Sequence, residues 1–285
     1  MSAPARVGVL GGGRMGAGIA HAFLLAGSRV HVVERDETAA DAAAARIRSA
    51  VHHSIERGTT TRSTRELLAA LSTGTDPAGF ASADLVVEAV PEDRALKSEA
   101  LRRAEEAMDA ASVLASNTSS ISIDDLATTL ERPERFVGMH FFNPVPASDL
   151  VEIVVGHASA PTLAAQAREW VTALGKTPIL VRDAPGFASS RLGVALGLEA
   201  IRMLEEGVAS AADIDAAMVL GYRHAVGPLR TTDIVGLDVR LGIAEELRDR
   251  LGPRFEPPAL LRRMVDEGRL GRKSGTGFYE WENDS

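Results

Sequence analysis

The sequence predicts a doubly wound α/β domain followed by an all-α domain. Two observations predict the first domain. Short β-branched runs alternate with longer amphipathic stretches rich in Ala and Leu, and a glycine cluster joins the first run to the first amphipathic stretch. The second domain is predicted because strand-like runs nearly vanish after Phe187. The Pro185–Gly186 pair is typical of a turn between domains, so we expect domains at residues 1–184 and 185–285.

The predicted elements alternate along the first domain. Strands are expected at residues 6–10, 29–34, 84–88, 113–116, 136–140, 150–155 and 178–181, where the runs are short, apolar and rich in β-branched side chains. Helices are expected at residues 14–26, 36–55, 93–110 and 162–174. Asp36 is a candidate helix cap, and Ser122 followed by Asp125 indicates a further helix start. In the second domain, helices are expected at residues 192–206, 211–220, 236–251 and 258–267.

Composition and charge exclude several classes of function. Hydrophobic residues make up 45% of the chain and charged residues 25%, as in ordinary globular proteins. The net charge of −8 disfavours a broad nucleic-acid-binding face, and the absence of Cys excludes disulfides, thiolate chemistry and Cys-type zinc sites. The N-terminal residues lack an export signal, and the apolar run 7–10 is too short to span a bilayer. We therefore expect a cytoplasmic protein with neither nucleic-acid nor membrane partners.

A glycine-rich loop between the first strand and the first helix predicts a dinucleotide site. Gly11, Gly13 and Gly16 fill a G-x-G-x-x-G pattern, and Arg14 and Met15 complete the candidate cofactor-binding loop. We expect Gly11 to permit the tight turn, Gly13 to let the backbone approach a pyrophosphate, and Gly16 to let helix and strand pack closely. The helix N-terminus adds N–H donors and a positive dipole. Because glycine clusters also form plain turns, the context of the loop has to support this interpretation.

An acidic residue at the end of the second strand supplies that context. Glu34 stands where a carboxylate can accept hydrogen bonds from both ribose hydroxyls and repel a 2′-phosphate, which favours NAD over NADP. The alternative is an ordinary charge at a strand end. Arg35 complicates the interpretation, because an adjacent Arg could partly accommodate NADP.

A histidine and a glutamate on two neighbouring predicted strands are candidates for proton transfer. His140 ends one strand at the carboxyl edge, where ligands bind in open α/β sheets. Glu152 lies within an apolar strand, and a buried carboxylate is costly unless it is paired. A His–Glu pair would remove that cost and favour the imidazolium formed during turnover. A single His is otherwise more often an ordinary core residue.

A polar loop follows another predicted strand end at residues 116–120, with the sequence SNTSS. Its hydroxyl and amide groups could bind a reacting oxygen and a nicotinamide, or could simply cap a helix. Spacing alone leaves both interpretations open.

Five segments, in this order, resemble the 3-hydroxyacyl-CoA (3-hydroxybutyryl-CoA) dehydrogenase family over nearly the whole chain. They are ASNTSS at 115–120, GMHFFNP at 138–144, LVE at 150–152, PGF at 185–187 and LGRKSG at 270–275. The resemblance implies a Rossmann-type N-terminal domain and an all-helical C-terminal domain that forms a homodimer. It also implies an NAD-dependent oxidoreductase of fatty acid metabolism that interconverts a (3S)-3-hydroxyacyl thioester, a short acyl-CoA, and its 3-oxo form.

The resemblance also assigns roles to individual residues. It implies that His140 is the catalytic acid/base, that Glu152 orients it, and that Ser119 binds the substrate oxygen near the nicotinamide. The implied cofactor contacts are Glu34, Glu92, Lys97, Ser119, Asn143 and Lys273.

The chain departs from the family pattern at six positions, the first being Glu34, where the ribose-binding acid of the family is usually Asp. Ser190 stands where the family has the Asn that completes the catalytic set, so Ser190 is a candidate for catalysis and substrate binding. Ala50 and Arg57 replace a Ser and a Lys that contact CoA, which makes Arg57 a candidate substrate contact. Asp149 replaces a Lys, and Arg230 replaces an acidic residue.

These departures leave other functions open. One is an enzyme acting on a hydroxyacyl chain tethered to a carrier protein. Another acts on a free hydroxy acid, whose carboxylate could pair with Arg230. A third is a non-catalytic dinucleotide-binding protein, since a fold does not fix a function. The presence of both His140 and Glu152 disfavours the third.

Overall fold

The first structural unit is built on one eight-stranded sheet. The computed structural model describes residues 2–282 and divides the chain into two compact units between Ala184 and Pro185. The strands are β1 Arg6–Leu10, β2 Arg29–Val33, β3 Leu71–Gly74, β4 Leu85–Glu88, β5 Val113–Ser116, β6 Phe136–Phe141, β7 Leu150–Val155 and β8 Thr177–Arg182. Their order is β3-β2-β1-β4-β5-β6-β7-β8, and every neighbouring pair is parallel except β6 and β7. The order reverses beside β1, which creates the crevice where such sheets bind ligands.

Helices follow most strands of this unit. They are α1 Arg14–Leu25, α2 Glu37–Glu56, α3 Thr64–Ala69, α4 Arg94–Ala107, α5 Ile123–Ala127 and α6 Pro161–Ala173. The side chains of Asp36 and Ser122 accept hydrogen bonds from the first turns of α2 and α5, as the sequence predicted. The buried core joins α1, α2 and α6 to one face of the sheet. The predicted doubly wound α/β architecture is confirmed.

The second unit consists mainly of helices. They are α7 Ser189–Glu205, α8 Ala211–Ala216, α9 Pro228–Val235, α10 Leu237–Leu251 and α11 Ala259–Asp266, around a separate apolar core. Buried Asp233 ties the C-terminal segment to α9, because its carboxylate accepts from the backbone N–H groups of Phe278 and Tyr279 and from the Trp281 indole. Among the described residues, no helix combines the length and apolar character needed to cross a bilayer.

Three elements were not predicted from the sequence. β3 lies at the edge of the sheet and is only partly buried, so its residues do not form an apolar run, and the short α3 precedes it. The sequence did not predict α9. It predicted one helix over 211–220, but the α-helix ends at Ala216 and a wider π-type turn follows over Ala217–Gly221. Such irregular turns leave no regular periodicity in a sequence.

Candidate active site

The glycine loop between β1 and α1 has the geometry that its sequence predicted. Gly11 adopts φ +93°, a conformation that disfavours other residues. A Cβ atom at Gly16 would lie 1.8 Å from the Gly11 carbonyl oxygen, so only glycine permits this approach. A Cβ atom at Gly13, by contrast, would meet no atom within 4 Å. The loop therefore has no room for a side chain at Gly16 but has open space beside Gly13.

The open side of the loop faces a cavity of about 750 Å³ at the carboxyl ends of the central strands. Of the sequence-predicted cofactor residues, the cavity is lined by Gly11, Gly13, Arg14, Met15, Glu34, Glu92, Lys97 and Ser119. Gly16 and Asn143 are not among its lining residues. Its size, its glycine loop and the helix N-terminus suit an elongated ligand with a phosphate group.

Glu34 contributes both to the cavity wall and to the loop. Its Oε1 accepts a hydrogen bond of 2.6 Å from the Gly12 backbone N–H. The carboxylate thus fixes the loop as well as presenting negative charge to the cavity. Arg35 is largely exposed, and its Nε donates to Asp36 at 3.0 Å. This contact directs the Arg35 guanidinium toward Asp36.

His140 and Glu152 form a buried pair across two antiparallel strands. The register of β6 and β7 sets the two residues directly opposite each other, and His140 Nδ1 lies 2.7 Å from Glu152 Oε2. Glu152 is fully buried and His140 is 5% exposed. Because the carboxylate accepts, Nδ1 carries the proton of the hydrogen bond. In that tautomer Nε2 is the ring nitrogen that carries no proton, as in other histidines oriented by a carboxylate.

A buried ion pair between β4 and α4 adjoins the same cavity. Lys97 Nζ donates to Glu88 Oε1 at 2.8 Å and lies 3.3 Å from Glu92 Oε2. Lys97 and Glu88 are each at most 1% exposed. Burial raises the pKa of Glu88, and Lys97 opposes that effect only in part. Burial also acts to raise the pKa of Glu92. The charge of Lys97 and the hydrogen bonds from Thr118 and Ser119 outweigh burial and hold the pKa of Glu92 below its ordinary value.

Glu92 in turn organises the polar loop after β5. Its Oε1 accepts from the Ser119 backbone N–H at 2.8 Å and from the Thr118 hydroxyl at 2.6 Å. Asn117 Oδ1 accepts from the Phe141 backbone N–H at 2.8 Å, which ties this loop to the strand that carries His140. The loop therefore has a fixed position beside that strand end.

Two residues of this arrangement were not singled out from the sequence. Glu88 ends a fully buried strand, and a carboxylate at the end of an apolar run was a usable signal. Asn117 belongs to the polar loop that the sequence did identify, but only the fold shows that its amide faces β6.

The remaining predicted residues lie elsewhere. Arg57 and Ala50 line a second cavity of the first unit, of about 600 Å³. In the second unit, Ser190 lies in the first turn of α7, and Lys273 Nζ lies 2.5 Å from Asp238 Oδ2. Arg230 stacks its guanidinium 4.4 Å above the Tyr279 ring. This stacking gives Arg230 a role in packing the C-terminal segment.

Comparisons with known proteins agree over nearly the whole chain. Residues 6–184 match the family described as 3-hydroxyacyl-CoA dehydrogenase, NAD binding domain, and residues 186–281 match its C-terminal domain. A probable 3-hydroxybutyryl-CoA dehydrogenase of Deinococcus radiodurans is 40% identical over 97% of this chain and all of that protein. A 3-hydroxybutyryl-CoA dehydrogenase of Mycobacterium tuberculosis is 42% identical, covering 97% of this chain and 98% of the relative. The crystal structure of (S)-3-hydroxybutyryl-CoA dehydrogenase PaaH1 from Ralstonia eutropha superposes with a TM-score of 0.93 at 37% identity, over 99% of this chain and all of that one.

Proposed function

Because this chain belongs to the 3-hydroxyacyl-CoA dehydrogenase family, we propose that it interconverts a short (3S)-3-hydroxyacyl-CoA and the 3-oxoacyl-CoA with NAD. The observation that carries the proposal is the buried hydrogen bond of 2.7 Å between His140 and Glu152. A pair of this kind holds an imidazole in one tautomer and stabilises its protonated form.

The reaction requires a proton and a hydride to leave the substrate. The cavity lined by Gly11, Gly13 and Glu34 would hold NAD, which would supply the acceptor for the hydride of C3. His140 takes the proton of the 3-hydroxyl on Nε2, while its Nδ1–H continues to donate to Glu152. The buried carboxylate offsets the positive charge that the imidazole then carries. In the reducing direction, the same imidazolium returns the proton to the 3-oxo oxygen.

Other residues hold the reactants. Gly11, Gly13 and the first turn of α1 would hold the pyrophosphate of NAD, and Glu34 would accept a hydrogen bond from a ribose hydroxyl. Ser119 donates to the substrate oxygen, in a loop whose position Glu92 and Lys97 fix. Asn143, Lys273 and Ser190 complete the set implied by the family. Arg57, at the second cavity, binds a phosphate of the acyl carrier.

The test is oxidation of NADH in the presence of acetoacetyl-CoA, followed by absorbance, beside NADPH and the matching pantetheine thioester. We expect turnover with NADH and a kcat/KM with NADPH at least about tenfold lower, because the Glu34 carboxylate repels a 2′-phosphate. The CoA ester should be preferred over the pantetheine thioester. Turnover only with the pantetheine thioester would indicate a carrier-bound substrate. Absence of turnover with any thioester, despite NADH binding, would contradict the proposal.

We further propose that the protein is a cytoplasmic homodimer formed through the second unit. This unit exposes apolar side chains on several elements, including Leu192 at 71%, Leu220 at 74% and Tyr222 at 75%. Exposed apolar surface of this kind is typical of a subunit interface.

Replacing Leu220 with Glu tests the dimer. We expect the wild type to sediment as a dimer and Leu220→Glu to shift toward the monomer at micromolar concentration, because a charge at an apolar interface must be desolvated. Leu180, an apolar residue of the first unit that is 53% exposed, provides the matched control. Leu180→Glu should leave the sedimentation coefficient unchanged. A wild-type monomer would refute the dimer.

A further inference from the structure

Arg240 on α10 is a buried cation without a counterion in the part of the chain that the structure describes. The side chain is 9% exposed, and its Nε is buried without a hydrogen-bond partner. Burial alone lowers its pKa to about 10, and no carboxylate raises it again. Since removing a guanidinium from water is costly, an unpaired one of this kind has a strong preference for an anion.

The guanidinium lies against α7 at a glycine. A Cβ atom at Gly193 would lie only 3.1 Å from Arg240 Nη1, so the absence of a side chain at Gly193 makes room for the guanidinium. Side chains on a helix lean toward its N-terminus. The space that a residue at 193 would fill therefore lies over the preceding turn, which contains Ser190. The Arg240 guanidinium of α10 thus lies against the face of α7 that carries Ser190.

This face lies at the N-terminal end of α7. The face adjoins the N-terminal turns of α7, a helix of 17 residues whose dipole favours negative charge there. The acidic residue nearest in sequence, Asp238, is engaged with Lys273 at 2.5 Å and forms no ion pair with Arg240. The dipole of α7 and the unpaired guanidinium of Arg240 therefore both favour an anionic ligand at this face.

We propose that Arg240 binds a carboxylate of the substrate and makes the enzyme selective for acyl chains that carry one. The inference rests on the proposed function, in which Ser190 contacts the substrate. A guanidinium can bind a carboxylate through two parallel hydrogen bonds, which a methyl terminus cannot supply. In a CoA thioester the carboxylate stands at the far end of the acyl chain, as in a dicarboxylic acid joined to CoA at one end. In a free 3-hydroxy acid the carboxylate is the C1 carboxyl group itself, which a CoA thioester no longer has.

Two 3-oxoacyl-CoA esters of equal length test the assignment. 3-Oxoadipyl-CoA ends in a carboxylate and 3-oxohexanoyl-CoA in a methyl group, and each is reduced with NADH. We expect the wild type to favour the charged ester in kcat/KM by at least about tenfold. Arg240→Leu should lower that preference by about 10-fold to 100-fold, mainly through KM, and Arg240→Lys should retain part of it. Arg248 on the same helix is bonded to Asp249 at the surface, so Arg248→Leu should leave the preference unchanged.

The outcomes separate this inference from the proposed function. Turnover of both esters without a preference, or an equal loss on both in Arg240→Leu, would overturn the role of Arg240 and leave the dehydrogenase intact. If both esters fail but a free 3-hydroxy acid reduces NAD in an Arg240-dependent reaction, the carboxylate site stands and the thioester substrate is wrong. If Arg240→Leu dissociates a dimer without altering the preference, Arg240 pairs with a second copy of the chain, and the inference is overturned.

Discussion

His140→Ala should lower kcat for the reduction of acetoacetyl-CoA by about 10³-fold to 10⁴-fold, because proton transfer by a positioned imidazole contributes an acceleration of that order. The Kd for NADH should change little, since His140 does not line the cavity beside the glycine loop. Stopped-flow or steady-state absorbance gives kcat, and NADH fluorescence gives Kd. Loss of turnover with retained binding separates a catalytic role from a general loss of structure.

A second variant covers the case in which the alanine variant folds poorly. Removing the imidazole leaves Glu152 as a buried charge without this partner, which costs about 3–5 kcal/mol in comparable pairs. His140→Gln keeps a hydrogen-bond donor for Glu152 but cannot exchange a proton. Its kcat should therefore fall by the same factor as that of His140→Ala. His157 is an exposed histidine bonded to Asp124, and His157→Ala should retain full activity. Retained turnover in either His140 variant would show that another group transfers the proton.

Gly13→Val should raise the Kd for NADH by about 100-fold or more while leaving the fold intact. A Cβ atom at Gly13 meets no protein atom within 4 Å, so the new side chain projects into the open cavity where the pyrophosphate is expected to approach. The loss of a good helix-capping residue should cost only about 1 kcal/mol of unfolding free energy. NADH fluorescence titration and thermal unfolding measure the two effects independently.

Two other glycines provide the comparison. Gly16→Val places its Cβ 1.8 Å from a carbonyl oxygen and should damage the fold itself, which lowers the Tm. Gly242 on α10 is also open to solvent but lies outside the loop, so Gly242→Val should leave NADH binding unchanged. If Gly13→Val binds NADH like the wild type, the pyrophosphate does not lie over this loop.

The elements that the sequence predicted are those with strong local signals. The strand with the LVVE sequence at 85–88 and the glycine loop at 11–16 are examples, because burial on both faces demands an apolar run and a positive φ at Gly11 demands glycine. β3 was missed because an edge strand is half exposed and needs no such run. The π-type turn after α8 was missed because it lacks a regular period.

The candidate site also has features that the sequence predicted and features that only the fold shows. His140 and Glu152 were singled out because a histidine at a strand end and a carboxylate in an apolar strand are unusual side chains for those positions. That they face each other depends on the antiparallel register of β6 and β7, which no local pattern specifies.

The sequence by itself determined the fold class, the glycine loop and the identity of the acid/base candidate. Tertiary structure alone decided that Lys97 is buried against Glu88, that Asn117 binds β6, and that Arg240 occupies the space beside Gly193. The physical reason is the range of the forces. Hydrophobic periodicity and backbone conformational preference act over a few neighbouring residues, so they can be read from the sequence. The partner of a buried charge, in contrast, is chosen by which helices and strands the whole fold brings within a few ångströms of it.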